Sequence, residues 1–143
     1  MRIISKIEIK NNFAVKGIGF EGIRKIGDPE DIAIKYYNEG VDEIIFSDVV
    51  ASLYERNQLY NLVKKFSKNI FVPMTLGGGL KTEKDIHKAL KSGADKVFFN
   101  SAILKEPKLI KFFSDIFGSQ CIVVSIEAKK INDEYFCYYN SGR

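Results

Sequence analysis

Short runs of β-branched and aromatic residues alternate along the chain with segments whose apolar positions recur every three or four residues. That alternation predicts βα units and a parallel sheet. The runs place strands at Ile3 to Ile9, Glu43 to Ser47, Phe71 to Thr75, Lys96 to Asn100 and Cys121 to Glu127. Four helices fit between them. Asp28-Pro29 supplies an N-cap and a proline at the first helical position, opening a helix that runs towards Glu39 and stops at Gly40. A second helix spans about Arg56 to Phe66, with Leu59, Leu62, Val63 and Phe66 as its apolar stripe. Thr82-Glu83-Lys84-Asp85 has capping-box form and starts a third, ending near Gly93, while Pro107 and Gly118 bracket a fourth.

Periodicity alone leaves a doubly wound sheet and a barrel both open. The strand ends favour the barrel. Ile7-Glu8-Ile9-Lys10 recurs as Ile126-Glu127-Ala128-Lys129, and each copy precedes a stretch suited to a small hairpin, Asn12 to Lys16 and Asn132 to Asn140. Such a repeat makes the chain one half-barrel of four βα units plus the first strand of a second half. The expected fold is α/β of the (β/α)8 TIM-barrel family, an incomplete barrel of about five parallel strands and four helices. Its 143 residues form a single partial domain. A whole barrel needs about 200 to 250 residues.

Composition changes this picture little. With 45% hydrophobic and 28% charged residues the chain reads as globular, and a net charge of +4 spread along helices does not suggest a nucleic-acid surface. No apolar run approaches the roughly 20 residues of a membrane span, and the N-terminus lacks a secretory h-region, so the expected location is the cytoplasm. Cys121 and Cys137 lack metal-ligand spacing and read as buried free thiols. Neither a metal nor another cofactor is called for.

Chemistry concentrates at the strand ends. Gly77-Gly78-Gly79 follows the third strand directly, so backbone N–H groups there can approach an anion; a tight turn is the plainer alternative. Asn100-Ser101-Ala102 occupies the same place after the fourth strand, and two adjacent donor-rich loops favour a phosphate site. Glu8 and Glu127, at the ends of strands one and five, face each other across the mouth of a closed barrel as a candidate general acid and base. Lys16, in a long first loop with Gly17, Gly19 and Gly22, is a candidate phosphate-reaching or lid residue. Asp48 and Ser125 are expected to support the substrate site. At the opposite end Arg2, Glu43 and Lys96 gather three charges, for which a structural salt-bridge cluster is a sufficient reading. His87, in mid-helix, reads as a surface residue.

Val15-Lys16-Gly17, Asp42-Glu43, Gly77-Gly78-Gly79, Gly93-Ala94-Asp95-Lys96-Val97, Asn100-Ser101-Ala102 and Phe117-Gly118-Ser119-Gln120 also fall in the order of a known family pattern. Over essentially its whole length the chain resembles the cyclase subunit of imidazole glycerol phosphate synthase, the HisF family. The resemblance implies a HisH-like glutaminase partner whose ammonia enters at the barrel bottom and crosses the interior to a phosphorylated substrate at the top. It makes Arg2, Glu43 and Lys96 members of a charged entrance, matches Gly79, Asn100 and Ser101 to a phosphate site, and matches Lys16 to a loop lysine.

The family's acid and base are aspartates, whereas this chain has Glu8 and Glu127. One added methylene displaces a carboxylate by more than the roughly 0.5 Å that catalytic geometry tolerates. That departure, with the run from Asp48 to Tyr54 and Ser125-Ile126-Glu127-Ala128-Lys129, is similar to a side branch that works with a third, amidotransferase-like protein to install acetamidino groups on surface sugars. The first expectation is therefore ammonia delivery in surface-glycan modification. The alternatives are the histidine-pathway cyclase, which closes a ring on a phosphoribosyl-linked aminoimidazole carboxamide precursor, and a non-catalytic half-barrel that binds phosphate or a partner protein.

Overall fold

Alternating burial along the first strand sets the two faces of the sheet. In a computed structural model, which describes residues 1–18, 21–51 and 59–138, Ile7 and Ile9 of β1 (Ile4–Lys10) are buried against helices. Lys6 and Glu8, between and before them, point to the other face and line a pocket. The chain then turns back through Asn11 and Asn12, both at positive φ, which polar Asn side chains tolerate better than most. It continues as an antiparallel ribbon, β2 (Phe13–Ile18) and β3 (Glu21–Gly27). The expected loop from Lys10 to Gly27 is thus largely strand. Its hairpin pairs antiparallel with Glu8, Ile9 and Lys10 of β1, and so widens the sheet instead of forming a detached lid.

Beyond the ribbon the sheet is parallel. Helix α1 (Pro29–Asn38) leads to β4 (Glu43–Asp48), and α2, described from Leu59 to Phe66, leads to β5 (Met74–Gly77). Helix α3 (Glu83–Lys91) precedes β6 (Lys96–Phe99). The short α4 (Ser101–Lys105) and α5 (Lys108–Phe117) precede β7 (Ile122–Val124). The spatial order is β3-β2-β1-β4-β5-β6-β7, with five parallel strands from β1 to β7. This sequential, singly wound order is that of a barrel wall, with the helices on one side only. The expected α/β partial barrel stands.

Local chemistry fixes the helix ends. The Asp28 carboxylate accepts from the Glu30 N–H at 2.8 Å, with Pro29 following it, and Thr82 and Asp85 cap each other reciprocally at the start of α3. Gly118 leaves α5 at φ 86°, a conformation few other residues adopt readily. Between sheet and helices lies one core, in which Phe46 packs on Phe66 with centroids 5.0 Å apart and Phe99 stacks on Phe113 at 5.2 Å.

Four boundaries differ from expectation. β5 begins at Met74 rather than Phe71, because Pro73 has no N–H for the ladder, and Phe71 stays 77% exposed. A helix, α4, follows the fourth parallel strand where a loop was expected. The sheet bonding of β7 ends as Ser125 donates to the Phe99 carbonyl at 2.8 Å. Glu127 therefore opens a separate hairpin, β8 (Glu127–Ile131) and β9 (Glu134–Tyr138), instead of closing the fifth strand. The start of the second helix at Arg56 and the far end of the hairpin at Asn140 lie outside the described residues. Cys121 and Cys137 are free, as expected, but neither is buried: Cys137 lies on an exposed hairpin strand and Cys121 is half-buried. None of the described helices is long and apolar enough to cross a membrane.

Candidate functional site

The C-terminal ends of the parallel strands surround a pocket of about 680 Å³. Glu8 from β1, Asp48 from β4, Gly78 and Gly79 after β5, Asn100 and Ser101 after β6, and Glu127 after β7 all reach it. Five strand ends thus bring together seven of the predicted residues, with Ser125 beside them. Lys16 is the exception. It is exposed and pairs in register with Arg24, while its neighbours Val15 and Gly17 line the pocket, so strand alternation turns the lysine away.

The glycine triplet has a steric cause at each position. Gly78 and Gly79 have φ of 104° and 68°, and a Cβ on Gly78 would collide with the Asp48 carbonyl oxygen. A Cβ on Gly79 would lie 2.8 Å from that of Ala51. These close approaches carry the tight-turn reading, and they leave the loop backbone bare on its pocket side. Asn100 ties the neighbouring loop down: its Nδ2 donates to the Ser125 carbonyl at 2.9 Å, and its Oδ1 accepts from the Ser101 hydroxyl at 3.1 Å.

Three carboxylates reach the pocket in different states. Burial raises the Asp48 pKa above the usual aspartate range, partly offset by hydrogen bonds from the backbone of Val50, at 2.9 Å, and of Ala51. Asp48 is thereby committed to shaping the turn after β4. Glu8 accepts from Lys6 at 3.1 Å across an open part of the pocket. Glu127 differs from both: its Oε2 is buried, and among the described residues nothing donates to it. A buried acceptor left in this state costs about 1–3 kcal/mol unless a ligand or water satisfies it.

At the opposite ends of the strands the expected charge cluster forms. Glu43, 3% exposed, accepts from Lys96 Nζ at 2.6 Å and from the Thr75 hydroxyl at 2.6 Å, with Arg2 3.9 Å away. Burial acts to raise the Glu43 pKa. The hydrogen bonds from Lys96 and Thr75 and the charges of Lys96 and Arg2 outweigh it, and the carboxyl is held below its ordinary value.

Lys6 and Thr75 were missed from sequence. Thr75 reads as one more residue of an apolar strand until the register sets it opposite Lys96. Strand alternation from Glu8 was the available signal for Lys6, two positions earlier. His87 is exposed as expected, 3.6 Å from Glu83 and edge-on to Phe117.

A singly wound parallel sheet with a pocket at its C-terminal strand ends defines a (β/α)-barrel protein, with the pocket on the face where such barrels bind ligands. The chain belongs to the histidine biosynthesis protein family, whose model matches residues 2–143. It is 46% identical over 141 residues to imidazole glycerol phosphate synthase subunit HisF of Natranaerobius thermophilus, covering 99% of this chain and 56% of that protein. The HisF of Petrotoga mobilis is 48% identical over 143 residues, at 99% and 57% coverage. That of Legionella pneumophila is 44% identical over 144 residues, at 100% and 68%. The chain thus spans little more than half the length of the first two relatives.

These relatives overturn the expectation of surface-glycan modification, since each carries the name of the histidine-pathway subunit. The glutamate substitutions were too slight a basis for it. Glutamate keeps the carboxylate at both positions.

Proposed function

We propose that the chain serves as the HisF-type barrel of an imidazole glycerol phosphate synthase, using ammonia from a HisH-like glutaminase to close a ring on a phosphorylated substrate. The observation that carries this reading is the convergence of Glu8, Glu127 and two donor loops on one pocket, in a chain 44 to 48% identical to HisF proteins. The turn at Gly78 and Gly79 and the turn at Asn100 and Ser101 bind a phosphate through backbone N–H and hydroxyl donors. Glu127, whose buried oxygen lacks a donor among the described residues, takes a proton from the substrate, and Glu8 acts from the other side. Arg2, Glu43 and Lys96 form the ammonia entrance at the far end. Lys16 has no part in this account, because its strand faces it away from the pocket.

The test is complementation. The full chain, expressed with its glutaminase partner in a bacterium lacking its own HisF, is expected to restore growth without histidine. Folded, well-expressed protein that leaves the strain auxotrophic would overturn the proposal.

A further inference from the structure

Phe98 stands apart from the other buried aromatics. Phe46, Phe66, Phe99 and Phe113 all belong to the core between sheet and helices, whereas Phe98, only 7% exposed, does not. Strand alternation accounts for this. Val97 and Phe99 face the helices, so Lys96, Phe98 and Asn100 face the barrel interior. There the Phe98 ring lies against the bare backbone of Gly77, its partner in register, and a Cβ on Gly77 would fall within the ring. Unlike Gly78 and Gly79, Gly77 is not at positive φ. It is a glycine for room alone.

The position of that ring is what matters. One interior step below, about 7 Å along the strand, Lys96 joins the buried cluster with Glu43 and Thr75. One step above, Asn100 holds the pocket loop, and Phe98 itself lines the pocket. A barrel interior is filled in layers by side chains from neighbouring strands. In this layer Gly77 contributes none and Phe98 takes its space.

We propose that Phe98, seated on Gly77, is a gating side chain that forms an aromatic floor between the charged cluster and the pocket. Turning of the ring lets neutral ammonia through, while the apolar layer keeps out water and ammonium, whose desolvation is costly. This inference rests on the ammonia-using function proposed above and adds to it the point at which passage is controlled.

The test counts glutamate released per product formed, in the full chain with its glutaminase. Wild type is expected to hold a fixed ratio. Phe98→Ala removes the floor and is expected to raise the ratio about twofold or more through leakage, after normalising to the product the same variant forms from saturating ammonium salt, because Phe98 also lines the pocket. Phe98→Leu keeps an apolar layer and is expected to stay near the wild-type ratio. Gly77→Ala keeps the phenylalanine but drives its ring from the seat, and is expected to raise the ratio as Phe98→Ala does. An unchanged ratio in either folded alanine variant overturns the gate. If wild type makes no product from glutamine or from ammonium, the functional reading itself fails.

Discussion

The two ends of the parallel strands use the same residue types in opposite ways. At the N-terminal ends Glu43 is buried and fully engaged, held by Lys96, Thr75 and Arg2. At the C-terminal ends Glu127 keeps a buried oxygen without a donor among the described residues, and the loops around it expose backbone where side chains would not fit. A satisfied carboxylate holds structure together, whereas an unsatisfied one in a pocket waits for a partner. Substitution of Glu43 should therefore cost stability, whereas substitution of Glu127 should cost turnover with little loss of stability.

The largest effect is expected at the pocket. Glu127→Gln should lower turnover about 1,000-fold, within the range for losing a general acid or base, while leaving the melting temperature nearly unchanged. Steady-state kinetics beside thermal unfolding checks both halves of that statement. Glu43→Ala should cost about 3 kcal/mol of stability, because Lys96 loses its partner in a buried site. Chemical denaturation of the full chain measures it.

The pH dependence should separate the ends further. Because the folded Glu43 carboxyl sits below its ordinary value of 4.5, its contribution is fully present above that value and is lost as pH falls through the lower, folded one. Asp48, raised by burial from 3.8, has the opposite sign: its protonated form is favoured in the folded state, so its ionisation weakens stability as pH rises past 3.8. Unfolding curves for wild type and Glu43→Gln should be furthest apart above the ordinary value of 4.5 and converge as pH falls below it through the lower, folded value. A difference that grows on acidification would contradict the assignment. The smallest effect belongs to the surface. Lys111→Ala, which breaks an exposed i,i+4 pair with Asp115, should change stability by no more than about 0.5 kcal/mol.

Sequence made the helix ends legible because capping is local chemistry. Asp28-Pro29, the Thr82 box and Gly118 each act within a few residues of themselves. The glycine turn after β5 was legible for the same reason. What escaped depends on contacts distant in sequence. The β2–β3 ribbon depends on antiparallel pairing with β1, and the start of β5 depends on Pro73 within an apolar run. The Phe98 floor was harder still. A parallel strand buried on both faces reads as a continuous apolar run, so Val97-Phe98-Phe99 alone does not reveal which ring faces the helices. The two glutamates misled by the reverse route, since a conspicuous departure from a family pattern outweighed similarity along the whole chain.

The central claim is that the pocket, with glutamates in place of aspartates, still uses ammonia to close a ring. Incorporation of 15N from ammonium into the product, by the full chain with its glutaminase and the histidine-pathway precursor, tests it most directly. The account predicts labelled imidazole glycerol phosphate from wild type and a large loss in Glu127→Gln. No labelled product from folded wild type, with turnover appearing only after Glu8→Asp and Glu127→Asp, would contradict it.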